Sequence, residues 1–157
     1  MLFLGAHRPV INYSVEIYLV PHKHALSSNG VYKEFTISKK DLPVEPFILD
    51  DEIVLYDTSS YSITFSKEAA KRMGSLKPSI AVGMPFVLTV DREPILSGYV
   101  INSVSSYGCA AYVLTNTGQL SQKLGKGLPE KNYKKLIAEK RKNFLLVQAL
   151  ERTGRLK

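Results

Sequence analysis

The sequence predicts an α+β fold: a single domain on a mixed or antiparallel sheet of five to six strands, with one short crossover helix and one long C-terminal helix. Three observations predict it. Apolar residues alternate with polar ones in short runs between residues 12 and 114, the period of a pleated strand, and turn formers separate the runs. Ser66 followed by Ala69, Ala70 and Met73 supplies a helix cap and a short apolar stripe. Beyond Pro129, the residues Tyr133, Ile137, Phe144, Val147 and Leu150 recur near helical spacing, and Gly154 stands just past the last of them.

The elements follow in order. Asn12–Val20 alternates, with Tyr13, Val15, Ile17 and Leu19 on one side, and Pro21 ends it. His22–Gly30 is polar and closes on Ser-Ser-Asn-Gly, so it reads as a loop, and Val31–Ile37 as a weaker extended piece. Ser38–Asp51 holds Pro43 and Pro46 and reads as a connector with Phe47–Leu49 extended. Glu52–Tyr56 and Tyr61–Phe65 form a hairpin across Asp57-Thr58-Ser59-Ser60.

Ser66 caps a helix over Lys67–Leu76, and Pro78 forbids its continuation. Phe86–Val90 is too apolar to have a wet face and reads as a central strand. Asp91–Pro94 turns the chain into a strand at Ile95–Ile101. Ser103–Gly108 turns it again into a strand at Cys109–Leu114. Thr115–Gly127 is glycine-punctuated and polar, a connector, and Glu130–Thr153 is the long helix.

Length and charge narrow the function classes. A chain of 157 residues suits one domain. Its nine Tyr and six Phe suit strands with aromatic cross-strand contacts. The lone Cys109 excludes an internal disulfide and lies in an apolar run, as a core residue does. No run approaches the roughly 20 apolar residues of a membrane span. The opening Met1–Ala6 is apolar but too short for a signal core. It reads as the remnant of a removed signal or anchor, or as a first strand.

The net charge of +7 is uneven. From Gln119 onward eleven basic residues face three acidic ones, a net +8, which leaves the first 118 residues at −1. Lys134, Lys135, Arg141 and Lys142 are therefore the candidate contacts for an anion.

No catalytic constellation assembles from the remaining polar residues. His22 and His24 would face the same way on a strand and, with Asp50 or Asp51, approach a metal shell, but their segment is a polar loop. Asp50-Asp51-Glu52 reads as a charged strand entry that discourages edge pairing, and Asp91 as a side chain capping its own turn. Ser105-Ser106 lacks a Gly-x-Ser-x-Gly elbow, and Gly118–Gly127 lacks the Gly-Lys-Ser/Thr ending of a phosphate loop. The reading is no enzyme, no cofactor and no metal.

One stretch carries a resemblance. Ile63-Thr64-Phe65 leads into Ser66–Met73, then Gly83-Met84-Pro85 followed by Phe86–Asp91, then Pro94–Ile101. In that order these pieces resemble the head subdomain of the large periplasmic loop of SecD-type export proteins. The resemblance covers residues 61–116. It departs at Arg92, where that family has Gly in the turn, which implies a different turn type or a longer loop. The resemblance implies a non-catalytic lobe outside the cytoplasm, and it brings no functional residues with it. The expected function is a non-enzymatic binding or scaffolding module of the cell envelope that contacts protein or peptide. The alternative is binding of nucleic acid or an anionic surface through a basic helix over residues 130–153.

Overall fold

The computed structural model describes residues 13–79, 83–105 and 108–157. Met1–Ala6, His7, Asn12, Ser106 and Tyr107, all of which bear on the sequence expectations, lie outside the described residues. In chain order the strands are β1 (Val15–Leu19), β2 (Leu26–Ser28), β3 (Val31–Lys33), β4 (Ile53–Asp57), β5 (Ser62–Phe65), β6 (Met84–Val90), β7 (Glu93–Ile101), β8 (Gly108–Thr115), β9 (Ser121–Lys123) and β10 (Gly125–Leu128). The helices are α1 (Lys67–Ser75), α2 (Glu130–Tyr133) and α3 (Phe144–Arg152).

The fold is α+β, with two sheets where the sequence suggested one of five to six strands. A curled seven-stranded mixed sheet runs β1-β6-β7-β8-β3-β2, with β10 also paired to β8. A three-stranded antiparallel sheet runs β4-β5-β9. The extra strands are short and polar. In β2 the signal was present but brief: Asn29 and Gly30 both have positive φ, 53° and 72°, the backbone of a tight two-residue hairpin. The expected connector over 115–127 holds β9 and the start of β10, and Gln122 and Leu124 there are buried.

Both faces of the large sheet are dry, which explains the unbroken apolar run of β6. Phe86, Leu88 and Val90 point into a core shared with Ile53, Ile63 and Phe65 of the second sheet. Ala69, Ala70 and Met73 of α1 and Leu146, Ala149 and Leu150 of α3 complete that core. Val87, on the opposite face, packs with Tyr18, Tyr99, Cys109 and Ala111 under a lid of Tyr32, Phe35 and Leu42. Tyr99 ties the lid down: its hydroxyl accepts from Leu26 N at 3.0 Å and donates to Lys33 O at 2.8 Å.

Pairing around β8 creates a fork. Cys109 is opposite both Tyr32 and Leu128, and Tyr112 is opposite both Gly98 and Lys126. A strand has two edges, so β3 and β7 share one edge of β8 and β10 takes the other. β3 occupies the first part of that shared edge, and β7 joins β8 only from Gly98 onward. Gly98 stands where the fork closes. A Cβ there would lie 2.1 Å from the carbonyl oxygen of Tyr112, so only glycine permits this approach.

The turn between β6 and β7 bears on the departure at Arg92. Asp91 and Arg92 alone join the strands, with φ of 48° and 64°. The loop stays at two residues and both are left-handed, a conformation usually given to Asn-Gly. Tertiary contacts hold it. Asp91 Oδ1 accepts from Ser14 N at 2.8 Å, so the side chain binds a neighbouring segment where the sequence suggested a cap on its own turn.

The long C-terminal helix is a correction. Residues 130–153 form α2, a 3₁₀ turn at Lys134–Leu136, a non-helical strap that turns at Lys140–Asn143, and α3, which is nine residues long. Ile137 leaves the helical region with φ −110° and ψ 123°. Asn143 restarts the helix, its Oδ1 accepting from Leu145 N at 2.9 Å. Ile137 and Leu150 are buried as the periodicity suggested, but Phe144 is 74% exposed. The break has a physical cause. Glu139 and Arg141, two apart, would face away from each other on a helix, whereas here the chain turns at Lys140–Asn143 and Glu139 accepts from both the backbone and the side chain of Arg141. The strap lets them pair.

Candidate functional site

The four cations expected to meet an anion are separated by the fold. Arg141 is withdrawn. Its Nε and Nη2 donate to Glu139 at 2.9 and 2.8 Å, Nη1 donates to Leu124 O at 3.1 Å, and the guanidinium lies 3.6 Å from the Tyr61 ring centroid. With its side chain only 7% exposed, it has no face left for a ligand. Its hydrogen bond holds the Glu139 carboxyl down to about 2. Two tyrosines secure the same strap: Tyr56 OH donates to Arg141 O at 2.7 Å, and Tyr112 OH accepts from Lys140 N at 2.8 Å. Burial raises both phenols, Tyr112 to about 12, so they stay protonated donors.

Lys142 is exposed and its ammonium stands 5.7 Å over the Tyr61 ring centroid. Lys134 and Lys135 remain exposed on the turn after α2, and the structure adds Lys131 to them. Sequence reading chose Lys134, Lys135, Arg141 and Lys142 and passed over Lys131, because it placed all of them on one long helix. The signal was the spacing, since 131, 134 and 135 are one turn apart.

A cleft of about 190 Å³ opens at the fork in the sheet. Phe35, Thr36 and Ile37 form one wall, Pro94–Ser97 of β7 the other, and Val87 and Lys140 also line it. Ser97 holds the walls together: its Oγ accepts from Phe35 N at 3.2 Å and donates to Phe35 O at 2.6 Å. Ile95 is the extra residue of a bulge opposite Leu88 and Thr89 of β6, which bends β7 toward the cleft. Because β8 joins β7 only from Gly98, no strand among the described residues pairs with the outer edge of Glu93–Ile95. Lys140 Nζ contacts Glu34 Oε1 at 3.4 Å.

The other sequence candidates sit in structural roles. His22 and His24 lie on a 3₁₀ turn, not a strand. Among the described residues no group of three or more His, Cys, Asp and Glu side chains is placed to hold a metal ion. Asp50 accepts from Arg155 Nη2 and from Val15 N, both at 2.7 Å, and Glu52 is bonded to Arg72. Asp50 and Glu52 thus anchor neighbouring segments, where the sequence suggested a charged edge guard. Ser105 Oγ is buried and has no hydrogen-bond partner among the described residues. Burial pushes the Cys109 thiol up to about 12, which suits a core residue and not a nucleophile. Among the described residues, no helix is long and apolar enough to cross a membrane. Comparison with family models, curated proteins and solved structures finds no match for this chain.

Proposed function

We propose that this protein is a non-catalytic binding module that takes an extended peptide, or an extended segment of a protein, at the fork between β7 and residues 35–37. One observation carries the reading: the free edge of Glu93–Ile95 borders a cleft whose opposite wall, residues 35–37, lies outside any helix or strand. An unpaired strand edge offers backbone groups that another strand can bond, and here Pro94, which has no N–H, serves only as an acceptor. The adjoining cleft accepts one apolar side chain above Val87 and Ile37, with Lys140 beside it. The resemblance of residues 61–116 to an export-protein head lobe supports recognition without chemistry, and it is the reason to propose the cell envelope as the setting.

The test is selection of displayed short peptides against the full chain. Selected peptides should keep binding at moderate salt, protect the amides of Thr36, Ile37 and Ile95 from hydrogen exchange, and lose affinity for a Thr36→Trp variant that fills the cleft. Equal binding to Thr36→Trp, with those amides unprotected, overturns the reading.

A further inference from the structure

The second surface carries an inference of its own, independent of the peptide cleft. Charge pairing leaves three lysines over on one small turn. The carboxylates flanking it in sequence are both engaged: Glu130 pairs with Lys123 at 3.1 Å, and Glu139 is held by Arg141 and by Lys126 at 3.6 Å. No acidic partner of Lys131, Lys134 or Lys135 is found among the described residues, and no acidic residue lies between 131 and 138.

The turn is oriented. Tyr133 is its inward residue: a Cβ on Gly108 would lie 2.7 Å from the Tyr133 hydroxyl, and one on Gly127 would lie 2.7 Å from Tyr133 Cβ. Positions 131, 134 and 135 fall on the other side of a helical turn from 133, so the three cations share the outward face. Leu136, next to Lys135 in the chain, is 73% exposed, a large apolar side chain left to solvent at the end of the turn.

We infer that the turn over residues 131–136 docks the protein on an anionic lipid bilayer, with Lys131, Lys134 and Lys135 meeting phosphate headgroups and Leu136 entering the interface. Charge complementarity identifies the occupant. Uncompensated lysines attract any polyanion, but an exposed leucine at the end of the same turn gains only where the anion borders hydrocarbon. Attachment of this kind is peripheral and reversible.

The chain has no tryptophan, so Leu136→Trp introduces a single reporter. The experiment is titration of full-length Leu136→Trp with phosphatidylcholine vesicles and with vesicles carrying about 30 mol % phosphatidylglycerol. The expected result is a blue shift of emission, and quenching by brominated acyl chains, with the anionic vesicles only. Sedimentation of the unsubstituted chain with the same vesicles should weaken as salt rises from about 0.1 M to about 0.5 M. Lys131→Ala, Lys134→Ala and Lys135→Ala combined should lower vesicle affinity on the order of a hundredfold, roughly fivefold per lysine. Its thermal unfolding should stay unchanged, because the three side chains are exposed. Vesicle binding with no shift at position 136 overturns the docking geometry. An absence of vesicle binding, with or without retention of a single-stranded oligonucleotide, overturns the lipid assignment.

Discussion

Arg141 grips Glu139, two residues before it, with two nitrogens of its guanidinium while the plane of the group rests on Tyr61. This contact holds the strap between the two C-terminal helical pieces against the body of the protein. Arg141→Ala removes the pair, the stacking and the donor to Leu124 O. It should destabilise the fold by about 2 kcal/mol, because the buried Leu124 carbonyl loses its donor while Glu139, 37% exposed, can turn to water. Arg141→Lys should recover only part of that, since an ammonium cannot form the bidentate pair. Thermal or denaturant unfolding of the two variants checks the order, and equal stability of both with the unsubstituted chain would contradict it.

The same pair sets an acid limit. The Glu139 carboxyl titrates near 2 when folded, below its usual value of 4.5, chiefly because Arg141 donates to it. A depressed carboxyl stabilises the folded state above its unfolded value and loses that contribution as pH falls through the folded one. Stability should therefore decline between about 4.5 and about 2. Glu139→Gln should flatten the decline, measured by unfolding at a series of pH values. An undiminished slope in that variant would assign the acid sensitivity to other carboxylates.

Gly98 supports a prediction about the fork. A methyl group there meets the Tyr112 backbone, which cannot move without breaking the β7–β8 pairing. Gly98→Ala should cost roughly 3 kcal/mol, the upper range for overpacking. Gly30→Ala, at a turn with open space around it, should cost about 1 kcal/mol from its positive φ alone. Reversal of that order in unfolding measurements would show that the fork relaxes.

Arg92 separates backbone strain from tertiary contact. Its guanidinium donates to Tyr18 OH at 3.1 Å and to Pro43 O at 3.3 Å, and its φ is 64°. Arg92→Ala loses both bonds and keeps the strain, whereas Arg92→Gly loses both and relieves it. The glycine variant should be the more stable of the two by about 1 kcal/mol. An alanine variant as stable as the glycine one would mean that the turn is not strained.

Several parts of this fold were legible in the residues. The β4–β5 hairpin, Ser66 as the cap of α1 with its Oγ accepting from Ala69 N, and the all-apolar β6 each rest on local chemistry. The candidate site was less so. Lys134 and Lys135 were visible as charge, but Arg141 in the same run is buried, because charge along a chain does not say which carboxylate a cation will meet. The cleft was invisible, since it arises from Thr36 and Ile95, 59 positions apart, being brought to facing walls.

What the residues determined by themselves is the class of fold, its dry central strand and the excess of positive charge after Gln119, because period, turn chemistry and charge count need no knowledge of partners. Tertiary structure decided where the C-terminal segment is helical and where β7 is left unpaired. Helical periodicity over 130–153 competed with the Glu139–Arg141–Tyr61 contact, which a continuous helix does not allow because residues two apart face away from each other on it. Likewise β8 has only two edges, and the arrival of β3 on one of them left the first part of β7 open.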